Sequence, residues 1–328
     1  MTFRGLVFLA WVLLGSTAHA QEDAYQAERH ALCGGQEIPP ALSASGGTRC
    51  DQIELYYGFE KKPDYAAARA CAESGDQSAV PLLSGTGVLS MLYANGLGVR
   101  RDIDRAKILA CQNEWISNDQ IPVLMQRLEA MRHEPKAQLD LCDYASNTPT
   151  ANICSYVATR WHAVHRAQRI QAYAPPSRPA ALRQALNRLQ KAEETFANSR
   201  AGNELNQMGT ARAMMSDDEL DRVGEQFVIN LHDFSKATFP QAGAAEAAAA
   251  DRELAETLDH IRKRGFSTEW QTIKVTGVEE TQASWLQARQ AWLDFAAVAW
   301  PKLSQDRVRW RLTRQRIRQL KGLERFAQ

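Results

Sequence analysis

Residues 281–301 read TQASWLQARQAWLDFAAVAWP and contain three of the chain's eight tryptophans. Five side chains of this stretch recur at i, i+3, i+4, i+7 and i+10, a spacing that places them on one face of an α-helix. They are Gln282, Trp285, Leu286, Arg289 and Trp292. The apolar members predict a buried stripe, and an exposed aromatic platform is the alternative. Because polar groups on a buried face need partners, we predict that Gln282 and Arg289 bond the protein's own backbone or a carboxylate of another helix.

Helical periodicity continues through the rest of the second half of the chain. Apolar residues recur at helical spacing in SYVATRWHAVHRAQRIQAYA (155–174), PAALRQALNRLQKAEETFANSR (179–200), DDELDRVGEQFVINLHDFSKATF (217–239) and AAEAAAADRELAETLDHIRKRGF (244–266). Only WQTIKVTGV (270–278) resembles a strand, and it is short enough to be an extended connector. We therefore predict an all-α fold.

The first twenty residues, MTFRGLVFLAWVLLGSTAHA, have the pattern of a cleavable signal peptide. One basic residue precedes an apolar run over residues 5–15, and Ala18-His19-Ala20 suits signal peptidase. The run is shorter than the ~20 residues of a membrane span, and no later segment comes closer. We expect a periplasmic or secreted protein, cleaved after Ala20 and without a transmembrane segment.

Six cysteines follow this segment, and an even number in an exported chain favours disulfides over metal or redox chemistry. They are Cys33, Cys50, Cys71, Cys111, Cys142 and Cys154. Many pairings are possible, and we predict Cys142 with Cys154, which are close in sequence and flank a turn-rich segment. Zinc is the alternative, but no CxxC occurs, and His162 and His165 at i, i+3 lack an obvious third ligand. We predict no metal and no cofactor.

A repeat is found when the chain is shifted by 40 residues, which aligns GFEKKPDYAAARAC (58–71) with GVRRDIDRAKILAC (98–111). A period of this size is typical of helical solenoids. Asn95-Gly96 and Gly98 predict a turn between an apolar helix and an Asp-capped, alanine-rich helix. We assign residues 53–139 to helical repeats.

The turn itself, YANGLGVRRD from Tyr93 to Asp102, resembles the YxxGxGVxxD turn of Sel-like repeats, bacterial relatives of tetratricopeptide repeats. The resemblance covers roughly residues 53–115, and the earlier copy is degenerate. It implies a protein–protein scaffold, and the alternative is two capped helical hairpins that only pack. Before the repeats, residues 21–52 are expected to be a loop-rich lead-in tied down by Cys33 and Cys50.

The C-terminal residues 301–328 carry nine Lys and Arg against two acidic residues, although the chain as a whole is nearly neutral. This tail either docks on the more acidic remainder or meets an anionic partner. Helical spacing predicts one packed side, formed by Val308, Leu312, Ile317 and Leu320, and one basic side, formed by Arg307, Arg311, Arg314 and Arg318.

Several motifs between residues 140 and 325 occur together in one family. QxxWLxxRxxW is followed by FxxxxWP and by LTRxRxxxL, and upstream lie a Cys142-Asp143 pair with Cys154, FANSRAGNELNQMGTAR (196–212) and DREL (251–254). Together they resemble the LprI-like lysozyme-inhibitor domain of proteobacterial periplasmic proteins. The chain departs from that pattern at Ala255, Ala288 and Gln290, where the family has asparagine, tyrosine and aspartate. The resemblance implies an α-helical domain, residues 140–328, that binds lysozyme.

None of the motifs GxSxG, HExxH, GxxxxGK[ST] or GxGxxG occurs, and we assign Glu193, Glu194 and Asp217-Asp218-Glu219 to helix faces and N-terminal turns. We therefore predict an exported, non-enzymatic protein that binds lysozyme or another envelope protein and no nucleic acid. The candidate binding residues are Gln282, Trp285, Arg289, Trp292, Arg311, Arg314 and Arg318. The alternative is an envelope enzyme acting on peptidoglycan or its fragments, which carboxylates facing a cleft lined by Trp285 and Trp292 would favour.

Overall fold

The structure is a computed structural model, and it describes residues 23–34, 50–74, 81–267 and 271–324. Within these ranges the chain is α-helical and forms no β-strand, which confirms the predicted all-α fold. The predicted signal peptide, residues 1–20, lies outside the described residues. In the part of the chain that is described, no helix combines the length and the apolarity required to cross a membrane.

The described helices are numbered in chain order. Residues 23–33 are helical and are labelled α1. The others are α2 (Gln52–Tyr57), α3 (Tyr65–Glu73), α4 (Thr86–Asn95), α5 (Ile103–Gln112), α6 (Ile121–Ala130), α7 (Thr148–Gln171), α8 (Ala180–Asn203), α9 (Arg212–Lys236), α10 (Ala244–Arg264), α11 (Val275–Ala299) and α12 (Gln305–Leu323). Short 3-10 helices span Pro81–Leu83 and Leu141–Tyr144. The chain divides into two compact units, which we call the first unit (Met1–Val157) and the second unit (Ala158–Gln328).

Aspartates and one glycine set the helix boundaries of the first unit. The side chains of Asp51, Asp64 and Asp102 each accept a hydrogen bond from a backbone N–H in the first turn of α2, α3 and α5, which satisfies a donor with no partner inside the helix. Between α4 and α5, Gly98 has a φ of 66°, and a Cβ there would lie 2.7 Å from Cβ of Tyr65. Glycine is therefore required at this position, and the predicted turn is confirmed.

Three disulfides join the six cysteines of the first unit. They link Cys33 to Cys111, Cys50 to Cys71 and Cys142 to Cys154, with Cα–Cα distances of 5.7, 6.1 and 5.4 Å. The predicted pairing of Cys142 with Cys154 is confirmed.

Within the predicted lead-in, residues 23–33 form the helix α1, whereas the sequence predicted a loop-rich segment. Arg29 on this helix donates to the backbone carbonyls of Cys111 at 3.0 Å and Ile116 at 2.8 Å. These bonds and the Cys33–Cys111 disulfide hold α1 against the end of α5 and the segment after it, which explains why it is structured. Residues 35–49 of the lead-in lie outside the described residues.

The second unit packs long helices around an aromatic core, with α8 against α9 and α11, and α10 against α12. Trp292 is 0% exposed, and its ring centroid lies 5.1 Å from that of Phe227 and 5.2 Å from that of Phe234. Trp285 is 5% exposed. The predicted buried stripe is therefore confirmed for both tryptophans.

The predicted burial was wrong for one member of the stripe, because Leu286 is 44% exposed. Consecutive helical residues are separated by about 100° around the axis, and the buried face of α11 continues from Trp285 through Ala288 and not through residue 286. At its start, α11 is preceded by irregular chain over residues 271–274. The described part of the 270–278 segment is thus connector and helix, without a strand.

Candidate functional site

A cavity of about 460 Å³ lies in the second unit between α8, α9 and α12. Its inner wall includes the buried side chains of Phe196, Phe227 and Leu312. Exposed residues, including Arg222 and Arg318, line its outer part. The cavity therefore leads from solvent to the core, and its size lies within the usual range of small-molecule sites.

A buried ion pair joins the lining residue Glu204, which directly follows α8, to Arg316 of α12. Arg316 donates through Nη1 and Nη2 to the two carboxylate oxygens of Glu204 at 2.9 and 2.5 Å, and neither side chain is exposed. Arg316 Nε also donates to Gln282 Oε1 at 2.9 Å. The bidentate geometry compensates two charges that would be very costly to bury alone. Gln282 thus bonds a guanidinium, and our prediction of a backbone or carboxylate partner was wrong for this residue.

Arg200 extends this network toward α9. Its Nε lies 2.8 Å from Glu219 Oε1 and 3.6 Å from Glu204 Oε2. Burial lowers the pKa of Arg200 to about 10, against the opposing effect of both carboxylates, so it stays positively charged at neutral pH. Glu219 also accepts two bonds of 2.6 Å and one of 3.0 Å from Arg222. The side chains of Glu204 and Glu219 are consequently both in ion pairs with arginines.

Glu193 has a different environment from the other two carboxylates of the cavity. It accepts a hydrogen bond of 2.5 Å from the indole Nε1 of Trp292, and no cation among the described residues forms an ion pair with it. Burial raises the pKa of Glu193 to about 7, although the indole bond lowers it. Near neutral pH this carboxyl group is therefore present in both protonation states, so it can donate or accept a hydrogen bond.

Amide side chains complete the wall. Asn230 and Gln315 bond each other reciprocally, at 3.1 and 2.7 Å. Gln319 Oε1 and Arg200 Nη1 are also buried, but neither has a hydrogen-bond partner within the described chain. Buried polar atoms without partners are uncommon in folded proteins.

Arg289 and Trp285 lie outside the cavity lining. Arg289 Nη1 donates to Asp251 Oδ1 of α10 at 2.8 Å and to Thr313 Oγ1 at 3.1 Å, and its guanidinium lies 4.7 Å from the ring centroid of Trp285. Of the two partners predicted for Arg289, the protein's own backbone or a carboxylate of another helix, the structure has the carboxylate. Asp251 supplies the acid that is absent at Gln290.

Most cations of the tail bind carboxylates of the second unit. Arg311 pairs with Asp233 of α9 at 3.2 Å, and Arg314 and Lys321 both pair with Glu253 of α10. Of the two alternatives for the tail, docking on the chain's own acidic residues is the one found for these side chains. The predicted packed side is confirmed, since all four of its apolar residues are buried.

Two tail arginines depart from this pattern. Arg307 was predicted on the basic side, but it is 5% exposed and donates to the carbonyls of Ala237 and Pro240, both at 3.0 Å. Those carbonyls lie just beyond the end of α9. Because they accept hydrogen bonds from the guanidinium, the buried cation is tolerated there. Arg318 is exposed and lines the cavity, and it makes no hydrogen bond or ion pair with any described residue. Burial lowers its pKa, and Arg311 and Arg314 lower it further.

Of the seven predicted binding residues, only Arg318 lines the cavity. Trp292 donates a hydrogen bond to the lining residue Glu193. Gln282 accepts one from Arg316, which in turn binds the lining residue Glu204. Glu193 and Glu219, which the sequence assigned to helix faces and N-terminal turns, lie in α8 and α9 and line the cavity. Arg200 and Glu204, at i, i+4 within the 196–212 motif, were the sequence signal for this network.

No group of three or more His, Cys, Asp or Glu side chains is arranged to hold a metal ion in the described ranges. The candidate ligand His162 instead lies 3.0 Å from Asp221 through Nδ1, and half of its side chain is exposed.

No protein-family model matches this chain, and no curated protein or solved structure is significantly similar to it. Its relation to Sel-like repeats and to the LprI-like domain therefore stays a prediction from the quoted motifs.

Proposed function

We propose that this chain is an exported, non-enzymatic binding protein that combines a Sel-like helical array with an LprI-like domain, and that lysozyme is its partner. The motifs between residues 140 and 325 and the YANGLGVRRD turn support this proposal. The three disulfides are compatible with an oxidising compartment.

The observation that carries the proposal is the exposed cation Arg318 on α12, which has no hydrogen-bond or ion-pair partner among the described residues. Burial lowers the pKa of Arg318, and the neighbouring cations Arg311 and Arg314 lower it further by charge repulsion. The cleft of a lysozyme contains acidic catalytic carboxyl groups. A positive surface is complementary to such a cleft and would promote both association and specificity.

The cavity carboxylates favour binding over hydrolysis. Glycosidases usually use two carboxyl groups, one as acid and one as base or nucleophile. Glu204 and Glu219 each form ion pairs with arginines, so both are already occupied by cations of the chain itself. Glu193 is then the one cavity carboxyl group without a cationic partner among the described residues.

The test is the inhibition of chicken-type and goose-type lysozymes by the mature protein. We expect inhibition at micromolar concentration, and we expect Arg318→Glu to weaken it by about tenfold or more, since charge reversal at a complementary surface opposes association. Lys302→Glu is the matched control, because it reverses an exposed cation of the tail that does not line the cavity. Wild-type protein without inhibitory activity would contradict the proposal, as would equal effects of the two reversals.

A second candidate is an envelope enzyme acting on peptidoglycan fragments, and the raised pKa of Glu193 favours it because a general acid works best near the ambient pH. Incubation of the protein with purified muropeptides, followed by mass spectrometry, tests this function. Products that disappear with Glu193→Gln would support the enzyme. Unchanged muropeptides would leave binding as the proposed activity.

A further inference from the structure

We infer that the cavity of the second unit is a binding site for a small amphipathic carboxylate, whose carboxylate lies at Arg318 and whose apolar body packs against Phe196, Phe227 and Leu312. This inference does not depend on lysozyme as a partner. It concerns a different class of ligand from a protein partner, and the residue that the two proposals share is Arg318.

The size and wall of the cavity favour a small molecule with an apolar body. A volume of about 460 Å³ is in the lower part of the range for drug-sized ligands. Phe196, Phe227 and Leu312 are 4, 5 and 4% exposed, so they present apolar surface from the core to the inner part of the cavity. Burying an alkyl or aryl group against this wall would be favourable by the hydrophobic effect.

The charges of the lining favour an anionic head group. Arg200 and Arg222 are occupied by Glu219, and Glu204 is occupied by Arg316. Arg318 is the lining cation without a partner among the described residues, and it is exposed where the cavity opens. A carboxylate bound there would form a charge-assisted hydrogen bond. When the carboxyl group of Glu193 is protonated it is uncharged, so it repels an anionic ligand only weakly.

A buried donor gives independent support for an anionic occupant. Arg200 Nη1 belongs to a lining residue and has no hydrogen-bond partner within the described part of the chain. Arg200 is 4% exposed, so bulk water is a poor substitute for a partner. An unsatisfied buried donor is unfavourable, and a bound polar group would relieve that cost.

Isothermal titration calorimetry with dodecanoate and dodecylamine, each below its micellar concentration, tests the inference. The two probes share one alkyl chain and differ in the sign of the head group. We expect dodecanoate to bind at least about tenfold more tightly than dodecylamine, and we expect Arg318→Gln to reduce that preference by about tenfold. Because Arg318 is exposed and unpaired, its substitution should leave the fold intact.

We expect Gly322→Leu to block the cavity without disturbing the core. Gly322 lines the cavity on α12, and a Cβ built there has no atom within 4 Å. Replacing glycine inside a helix also favours the helix. Gly202→Leu is the matched control, because its Cβ likewise meets nothing within 4 Å and it lies on α8 outside the lining.

We expect Gly322→Leu to abolish dodecanoate binding and Gly202→Leu to preserve it. The inference is overturned if dodecylamine binds as tightly as dodecanoate, or if Gly322→Leu binds dodecanoate like the wild type. Urea unfolding confirms that both leucine variants are folded. Should Gly322→Leu fail to fold, the head-group preference and the Arg318→Gln variant still decide the matter.

Discussion

Replacing Glu193 by glutamine should stabilise the protein at alkaline pH and have little effect in acid. The folded protein raises the pKa of this carboxyl group from 4.5 to about 7. It therefore binds a proton more tightly than the unfolded chain, and stability falls as the pH rises from about 4.5 to about 7. Above that window the burial of a deprotonated Glu193 is fully unfavourable.

The magnitude follows from the size of the pKa change. One pKa unit corresponds to about 1.4 kcal/mol, so the change in Glu193 corresponds to about 3 kcal/mol above pH 7. The amide of glutamine is uncharged at every pH, and its Oε1 can still accept the bond from the Trp292 indole. We expect Glu193→Gln to raise the free energy of unfolding by up to about 3 kcal/mol at pH 8.

The assay is urea unfolding at pH 4.5, 6, 7 and 8, followed by tryptophan emission, with the disulfides intact. Most of the tryptophans lie in the second unit, so the signal reports chiefly on the part of the chain that contains Glu193. The adjacent Glu194 is exposed, and Glu194→Gln is the control, for which we expect the pH profile of the wild type. A stabilisation by Glu193→Gln that is equal at pH 4.5 and pH 8, or a loss of stability at pH 8, would refute the reasoning.

Three further predictions concern stability. Arg316→Met should lower the free energy of unfolding by about 3–5 kcal/mol, because it leaves the carboxylate of Glu204 buried without its cation; the double variant with Glu204→Gln should recover part of this loss in urea unfolding. Replacing Cys142 and Cys154 by serine should cost about 2–4 kcal/mol, measured by the same method, and an unchanged transition would contradict a formed disulfide. Gly98→Ala should lower the melting temperature measured by circular dichroism, because its Cβ would clash in a left-handed turn.

Local features of the chain were predictable because each depends on neighbours in sequence. The period of residues 281–301 predicted the burial of Trp285 and Trp292, and both are buried. The glycines after α4 predicted a turn that only the small residue Gly98 can form. The even number of cysteines and one short separation predicted the Cys142–Cys154 pair.

The errors arose where the neighbour comes from a distant part of the chain. Periodicity assigns residues to a face of a helix, but it does not identify the helix that packs there. Arg307 has the spacing of a solvent-facing arginine, yet it lies under the end of α9 and bonds carbonyls about 70 residues earlier. Glu193 resembles a surface acid in a polar helix, yet its partner Trp292 lies 99 residues later.

The sequence by itself therefore determined the helical class, the turn between α4 and α5, the buried tryptophans and the need of Arg289 for a partner. Only the tertiary structure decided that this partner is the carboxylate of Asp251, that Glu204 is bound by an arginine 112 residues away, and that Arg318 alone among the predicted binding residues lines a cavity. The physical reason is that helix formation depends on residues within a few positions of one another. The pKa of a side chain, and whether it forms an ion pair, depend on its burial and on the nearest charged groups, which here come from separate helices.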